Sequence, residues 1–185
     1  RMLNAFHEKY GDHFYPGSAS IAQNILRKDD RIHLCELHPQ EYEGLQNNIK
    51  GRNIKTYKRD GYEALNALAP CTPRRGIVFI DPSFEIKSEY SDIVPIVKKL
   101  HKAWNVAIIA IWYPLLPSHA HKIMVEGLKA LNLPKTCINE VEFYKPSGES
   151  RGMYGSGLFI ANIPFGVQEK MEDIATALSM RGTLI

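Results

Sequence analysis

The residues with the clearest chemical potential are three acids, each standing at or just beyond the end of a candidate strand. Ile77-Val78-Phe79-Ile80 is followed at once by Asp81-Pro82-Ser83-Phe84. Four consecutive apolar residues behind Gly76 and bounded by Pro82 predict a short strand of a parallel sheet, buried on both faces. Ligands of open α/β sheets bind beyond the carboxyl ends of the strands, where Asp81, Pro82 and Phe84 would stand. There a carboxylate and a carbonyl can accept the two hydrogens of a planar amine, and an aromatic ring can stack on the heterocycle that carries it. A plain Asp-Pro turn is the competing reading. Glu36 closes a second apolar run, residues 32–37, and its carboxylate either takes both hydroxyls of a ribose or is merely solvated. Asp60 follows residues 54–57 and could accept from an adenine amine, with Gly61 permitting close backbone approach; otherwise the pair opens the next helix as an ordinary turn. Ser18, after Tyr15-Pro16-Gly17, is placed as an N-cap, and the amides behind it could meet a carboxylate or phosphate, though simple capping accounts for it equally well.

Positioning these groups requires alternating strands and helices. Residues 1–13 carry Leu3, Phe6 and Tyr10 at helical spacing. A helix over 18–26 turns Ile21, Ala22, Ile25 and Leu26 inward. A strand over 32–37 leads to a helix from about Pro39 to near Gly51, and a strand over 54–57 leads to a helix with Tyr62, Leu65 and Leu68. After a polar connector at 70–75 and the strand at 77–80, Asp92 is expected as an N-cap with Pro95 in the first helical turn, where a missing N–H costs little. Ile93, Ile96, Val97 and Leu100 form that helix's inner face. Residues 106–111 are the most apolar strand, and Trp112-Tyr113-Pro114 at its end pack the core rim in preference to walling a base pocket. A helix over 117–131 points Ile123, Met124, Leu128 and Leu131 inward and His119, His121, Lys122 and Lys129 outward. Strands over 136–144 and 158–163 form an antiparallel hairpin around a loop whose Arg151 could touch a phosphate. A helix over 167–180 completes one α/β domain of about six strands, with the three acids on one rim of one sheet.

Composition narrows the classes. At 185 residues, 44% hydrophobic and 23% charged, the chain is long enough for one domain with a sizeable core. No apolar run approaches the ~20 residues that span a bilayer and no signal-like segment opens the chain, so the cytoplasm is the default setting. Three cysteines lack metal-ligand spacing, and His119 and His121 point apart on a helix, so no metal is expected. A net charge of +3 tolerates a polyanionic partner without demanding one.

Asp81-Pro82-Ser83-Phe84 resembles the Asp/Asn-Pro-Pro-Tyr/Phe motif of S-adenosylmethionine (SAM) dependent amino-group methyltransferases, with Ser83 replacing the second proline. In the order strand-Glu36, strand-Asp60, strand-Asp81 the chain resembles the bacterial RlmJ-type 23S ribosomal RNA adenine-N6 methyltransferases, also described as DNA-utilisation or competence proteins. The matching pieces are Tyr15-Pro16-Gly17-Ser18, Glu36-Leu37-His38-Pro39, Asp60-Gly61, Arg74-Arg75-Gly76, Ile80-Asp81-Pro82, Trp112-Tyr113-Pro114 and Arg151-Gly152-Met153, spread over residues 15–165. The resemblance implies a class I SAM-dependent, Rossmann-like methyltransferase sheet. It implies that Ser18, Glu36, Asp60 and Gly61 hold SAM, that Asp81 is catalytic, and that Pro82 and Phe84 meet the substrate base. It implies a cytoplasmic monomer acting on 23S rRNA, naked or partly assembled, without metal or membrane. The family's first strand, its glycine-rich SAM loop and most of a helical insertion precede the position of Tyr15. Residues 1–14 are therefore expected to be a remnant of that insertion and 15–185 a methyltransferase domain lacking its first strand, which alone would bind SAM poorly and be inactive. Two other readings use the same residues: a DNA adenine-N6 methyltransferase, and a nucleic-acid-binding protein with a vestigial methyltransferase fold. A nicotinamide-dependent oxidoreductase fits a generic sheet but leaves the acid-proline-aromatic tip unexplained.

Overall fold

Each apolar run becomes an element in the computed structural model, which describes residues 4, 6–8, 11–13, 15–86, 88–143 and 152–181. In chain order the elements are α1 (Ser18–Ile25), β1 (Ile32–Glu36), α2 (Pro39–Asn48), β2 (Ile54–Lys58), α3 (Gly61–Leu68), β3 (Ile77–Ile80), α4 (Glu89–Ala103), β4 (Ile108–Leu115), α5 (His121–Ala130), β5 (Cys137–Glu142), β6 (Gly155–Ala161) and α6 (Val167–Arg181). They fall into two compact units, Arg1–Ala67 and Leu68–Ile185.

In the first unit β1 and β2 pair in parallel, from Ile32 opposite Ile54 to Glu36 opposite Lys58. The crossover is α2, which Pro39 opens at a position where no intrahelical amide bond is lost. Ile32, Ile49 and Ala64 are buried. Two expectations fail in α1. Gly17 is the N-cap, without a side-chain cap bond, so Ser18 is already the first helical residue. No residue of α1 is buried, and Ile25 and Leu26 are exposed. An apolar stripe says which face can be covered, not that something covers it.

The second unit is a four-stranded sheet in the order β3-β4-β6-β5. β3 and β4 run parallel; β6 runs antiparallel to both β4 and β5. The three acids therefore do not share one sheet: Glu36 and Asp60 follow strands of the two-stranded sheet, whereas the strand before Asp81 hydrogen-bonds to β4. β3 is not buried on both faces either. Val78 and Ile80 are buried and Ile77 and Phe79 exposed, the alternation of a strand covered on one side.

α4 starts at Glu89, three residues before the expected N-cap, and Pro95 lies inside it. A proline there removes the bond to the Ser91 carbonyl and costs ~3 kcal/mol. Burial of Tyr90, Ile93, Val97 and Leu100, at ~1.5–3 kcal/mol for each apolar side chain, exceeds that cost and carries the helix through. β4 extends past 111 because Trp112, Tyr113 and Pro114 continue the ladder opposite Leu158, Gly157 and Ser156. Pro114 loses an amide donor, which an antiparallel ladder tolerates at its non-bonded positions. In α5, His121 is buried and Ile123 exposed, the reverse of the expectation. The helix begins at 121 instead of 117, after His119 takes a left-handed conformation (φ 53°), and its first residue faces the polar partners described below.

Candidate active site

The first unit brings Glu36, Asp60 and Gly61 to one rim. Parallel strands end on the same side, and Glu36 and Lys58 are the last register partners. A Cβ on Gly61 would lie 3.9 Å from the Cys35 Cβ, ordinary contact, so the next turn passes close to β1. Both carboxylates are already held by backbone amides. Glu36 Oε1 accepts from the His38 amide at 2.8 Å, and Asp60 Oδ1 accepts from the amides of Tyr62 (2.7 Å) and Glu63 (3.0 Å), capping α3. Capping and ligand contact are compatible here, since each bond engages one oxygen of two. Burial, opposed by Arg59 and assisted by Asp60, raises the Cys35 thiol pKa, which keeps that neighbour neutral. Ser18 is exposed at the start of α1, whose first intrahelical amide bond runs from Ile21 to the Gly17 carbonyl, so the amides of residues 18–20 have no intrahelical acceptor.

In the second unit Asp81 stands directly beyond β3, exposed, with Pro82 partly buried. Desolvation by the surrounding protein raises its pKa, and no cation among the described residues offsets that effect. Phe84 is buried at 6% exposure, and its ring stacks on Tyr90 with centroids 4.5 Å apart. Its backbone is left-handed (φ 54°), uncommon for a bulky side chain and the kind of strain found at functional turns. The Ser83 hydroxyl accepts from the Glu85 amide at 3.4 Å, supporting the turn where the resemblance expects a second proline. Phe84 as seen packs against Tyr90 in the first turn of α4 and, being buried, presents no open ring face to a base.

Tyr90 is a residue that the sequence reading passes over. Its ring covers Phe84, its hydroxyl is buried without a hydrogen-bond partner among the described residues, and burial followed by the neighbouring Glu89 raises its pKa. The signal is present: 90, 93, 97 and 100 follow helical spacing, and only the placement of Pro95 in a first turn hides the earlier start.

A second polar cluster lies behind the end of β4. The Tyr113 hydroxyl donates to Glu140 Oε1 (2.9 Å), His121 Nε2 is 4.0 Å from the same oxygen, and the Tyr113 and His121 rings stack at 5.8 Å. Burial first, then Glu140, raises the Tyr113 pKa; burial lowers that of His121 despite Glu140. His119 Nδ1 is 3.4 Å from the Tyr154 hydroxyl. Tyr113 therefore fills the core, as expected, with its hydroxyl satisfied inside it. Arg151 lies outside the described residues. Among the described residues no group of three or more His, Cys, Asp or Glu is arranged to hold a metal ion, and no helix is long and apolar enough to cross a membrane.

A mixed α/β fold with parallel pairing and acids at the strand tips is the class these observations define. A candidate rRNA-methylase of known structure from Clostridium thermocellum shares that fold (TM-score 0.51, 14% identity, 83% of each chain covered). A family model described as ribosomal RNA large subunit methyltransferase D, RlmJ, matches residues 1–182, and the chain belongs to that family. It is 33% identical over 162 residues to ribosomal RNA large subunit methyltransferase J of Escherichia coli (strain K12), covering 87% of this chain and 58% of the relative. The Haemophilus influenzae protein of the same name is 35% identical over 167 residues, covering 90% and 59%. A crystal structure from Legionella pneumophila matches with a TM-score of 0.81 at 33% identity over 90% of this chain and 62% of the other. The chain thus spans about three-fifths of the length of these relatives.

Proposed function

We propose that the protein methylates N6 of an adenine in 23S ribosomal RNA with SAM as methyl donor, Asp81 being the catalytic acceptor. The observation that carries the reading is the placement of the Asp81 carboxylate, exposed at the carboxyl tip of a parallel strand, in a chain of the RlmJ family. The donor set suits an adenosine cofactor. Glu36 and Asp60 each retain an oxygen for the ribose hydroxyls and the adenine amine, Gly61 keeps the turn beside them slim, and the amides of residues 18–20, without an intrahelical acceptor, suit the amino acid's carboxylate. Bound there, SAM supplies a sulfonium methyl that is already strongly electrophilic.

What the protein must add is alignment. Adenine N6 is a poor nucleophile because its lone pair is spread into the ring. Asp81 and the Pro82 carbonyl would accept its two hydrogens and turn the lone pair out of the ring plane, and fixing that approach is the contribution that proximity rewards. Phe84 and Tyr90 would back this turn as a rigid pair; for Phe84 to stack on an extruded base, its ring would have to leave Tyr90. The test is transfer of tritiated methyl from SAM to unmodified 23S rRNA by the full-length protein, with duplex DNA as competitor. Label in an RNA adenine supports the reading; label only in DNA, or none, refutes it.

A further inference from the structure

The last two turns of α4 carry three nitrogenous side chains that the reading above leaves without a task. Lys98, His101 and Lys102, at i, i+3 and i+4, lie on one face of the helix. Together with Ala130, Leu131 and Leu133, at and beyond the end of α5, they line a groove of about 430 Å³, within the size range of small-ligand sites. Among the described residues neither lysine has an ion-pair partner, and His101 Nε2 is shut off from solvent with no hydrogen-bond partner. Basic residues in a last turn offset the partial negative charge of the helix end, ~0.5 elementary charge, which two full ammonium charges outweigh. Dipole compensation does not explain a groove lined by both lysines and an apolar floor. The floor is apolar and the rim cationic, the complement of a nucleotide, whose base is flat and apolar on its face and whose phosphate is anionic.

We infer that this groove binds an unpaired nucleotide of the substrate RNA, its base over Leu131 and Leu133 and its phosphate between Lys98 and Lys102. The inference rests on the RNA substrate proposed above and deepens it. α4 is 15 residues long, which at 1.5 Å per residue is roughly 22 Å, and Asp81 lies beyond the strand preceding its first turn. The groove is therefore a remote anchor that holds the strand without touching the reacting adenine, and phosphate contacts of this kind fix register.

The test compares K98E/K102E with K99E/K170E, which makes the same change in net charge at exposed lysines outside the groove. Binding of hexauridylate and of a protein-free 23S rRNA transcript is measured against salt, alongside methyl transfer to the transcript; circular dichroism and melting temperature establish that both variants fold. The lost phosphate contact should lower the slope of log affinity against log salt by about 0.7, a roughly 2.6-fold change between 50 and 200 mM. KM for the transcript should rise with kcat unchanged, and K99E/K170E should behave as wild type. Equal slopes in all three proteins would overturn the groove while leaving methylation standing. A slope reduced only in K98E/K102E, with no transfer by any protein, would support the groove and refute the proposed reaction.

Discussion

Replacing Asp81 separates its chemical role from any role in folding. Desolvation raises its carboxyl pKa, so between the unfolded value near 3.8 and the raised folded value the native state binds more protons than the unfolded one. Stability contributed by Asp81 thus falls as pH rises through that window, and at neutral pH the ionised group is a net burden. Asp81→Asn should melt at or slightly above the wild-type temperature, and the difference should vanish below pH 3.8. Activity should move the other way. A hydrogen bond to a charged acceptor is worth ~1.5–3 kcal/mol and a neutral one ~0.5–1.5. The Asp81→Asn variant keeps an acceptor, now an uncharged amide, but loses about 1–1.5 kcal/mol, close to tenfold in turnover. Asp81→Ala loses the acceptor and the alignment together, ~10²–10⁴-fold, with SAM affinity barely changed. Wild-type turnover should climb with pH along a limb displaced above the ordinary carboxylate range, and that limb should be missing from Asp81→Asn. The assay is methyl transfer to 23S rRNA across pH, with calorimetric titration of SAM beside it. Wild-type turnover by Asp81→Ala, or a melting temperature lowered by Asp81→Asn, would refute the reasoning.

Other perturbations test the packing. The His121 pKa is depressed, chiefly by burial, so the unfolded state takes up protons first as pH falls through 6.5; stability should drop below that pH in wild type and less so in His121→Gln, as read by denaturation at pH 5 and 7. A Cβ on Gly157 would lie 2.2 Å from the Tyr113 ring, which is fully buried and tied to Glu140, so Gly157→Ala should cost at least ~1–3 kcal/mol by urea denaturation. Gly44, inside α2 with open space around it, should show the opposite sign, Gly44→Ala gaining ~0.5–1 kcal/mol. Phe84→Ala should lose ~3–5 kcal/mol if the ring is core as seen, whereas a melting temperature unchanged beside a raised KM would assign the ring to the base.

Element types are legible because they rest on local patterns: Glu36 ends a strand, and Asp60 and Asp81 follow strands, at the positions where the sequence places them. What escapes the sequence is set by tertiary partners. Pro95 reads as a first-turn residue because local propensity forbids it inside a helix, and only the burial of Tyr90 three positions before Ile93 overrides that. Polarity places His121 outward, yet Glu140, 19 residues later, offers it a partner indoors. The ring of Phe84 goes to a base in the sequence reading because a sequence does not show the φ of 54° that turns it back onto Tyr90. Trp112, Tyr113 and Pro114 read as a strand's end because their ladder partners at 156–158 are more than 40 residues away.

The amide bonds that anchor Glu36 and Asp60 bear on recognition as well as on architecture. A free carboxylate side chain must stop rotating to grip a guest, a loss of about 0.5–1.5 kcal/mol for each one immobilised. Here the rotors were halted during folding, by His38 in one case and by Tyr62 and Glu63 in the other. Whatever hydroxyl or amine meets their remaining oxygens encounters receptors already aimed, and a weak donor can be selected by direction instead of by strength.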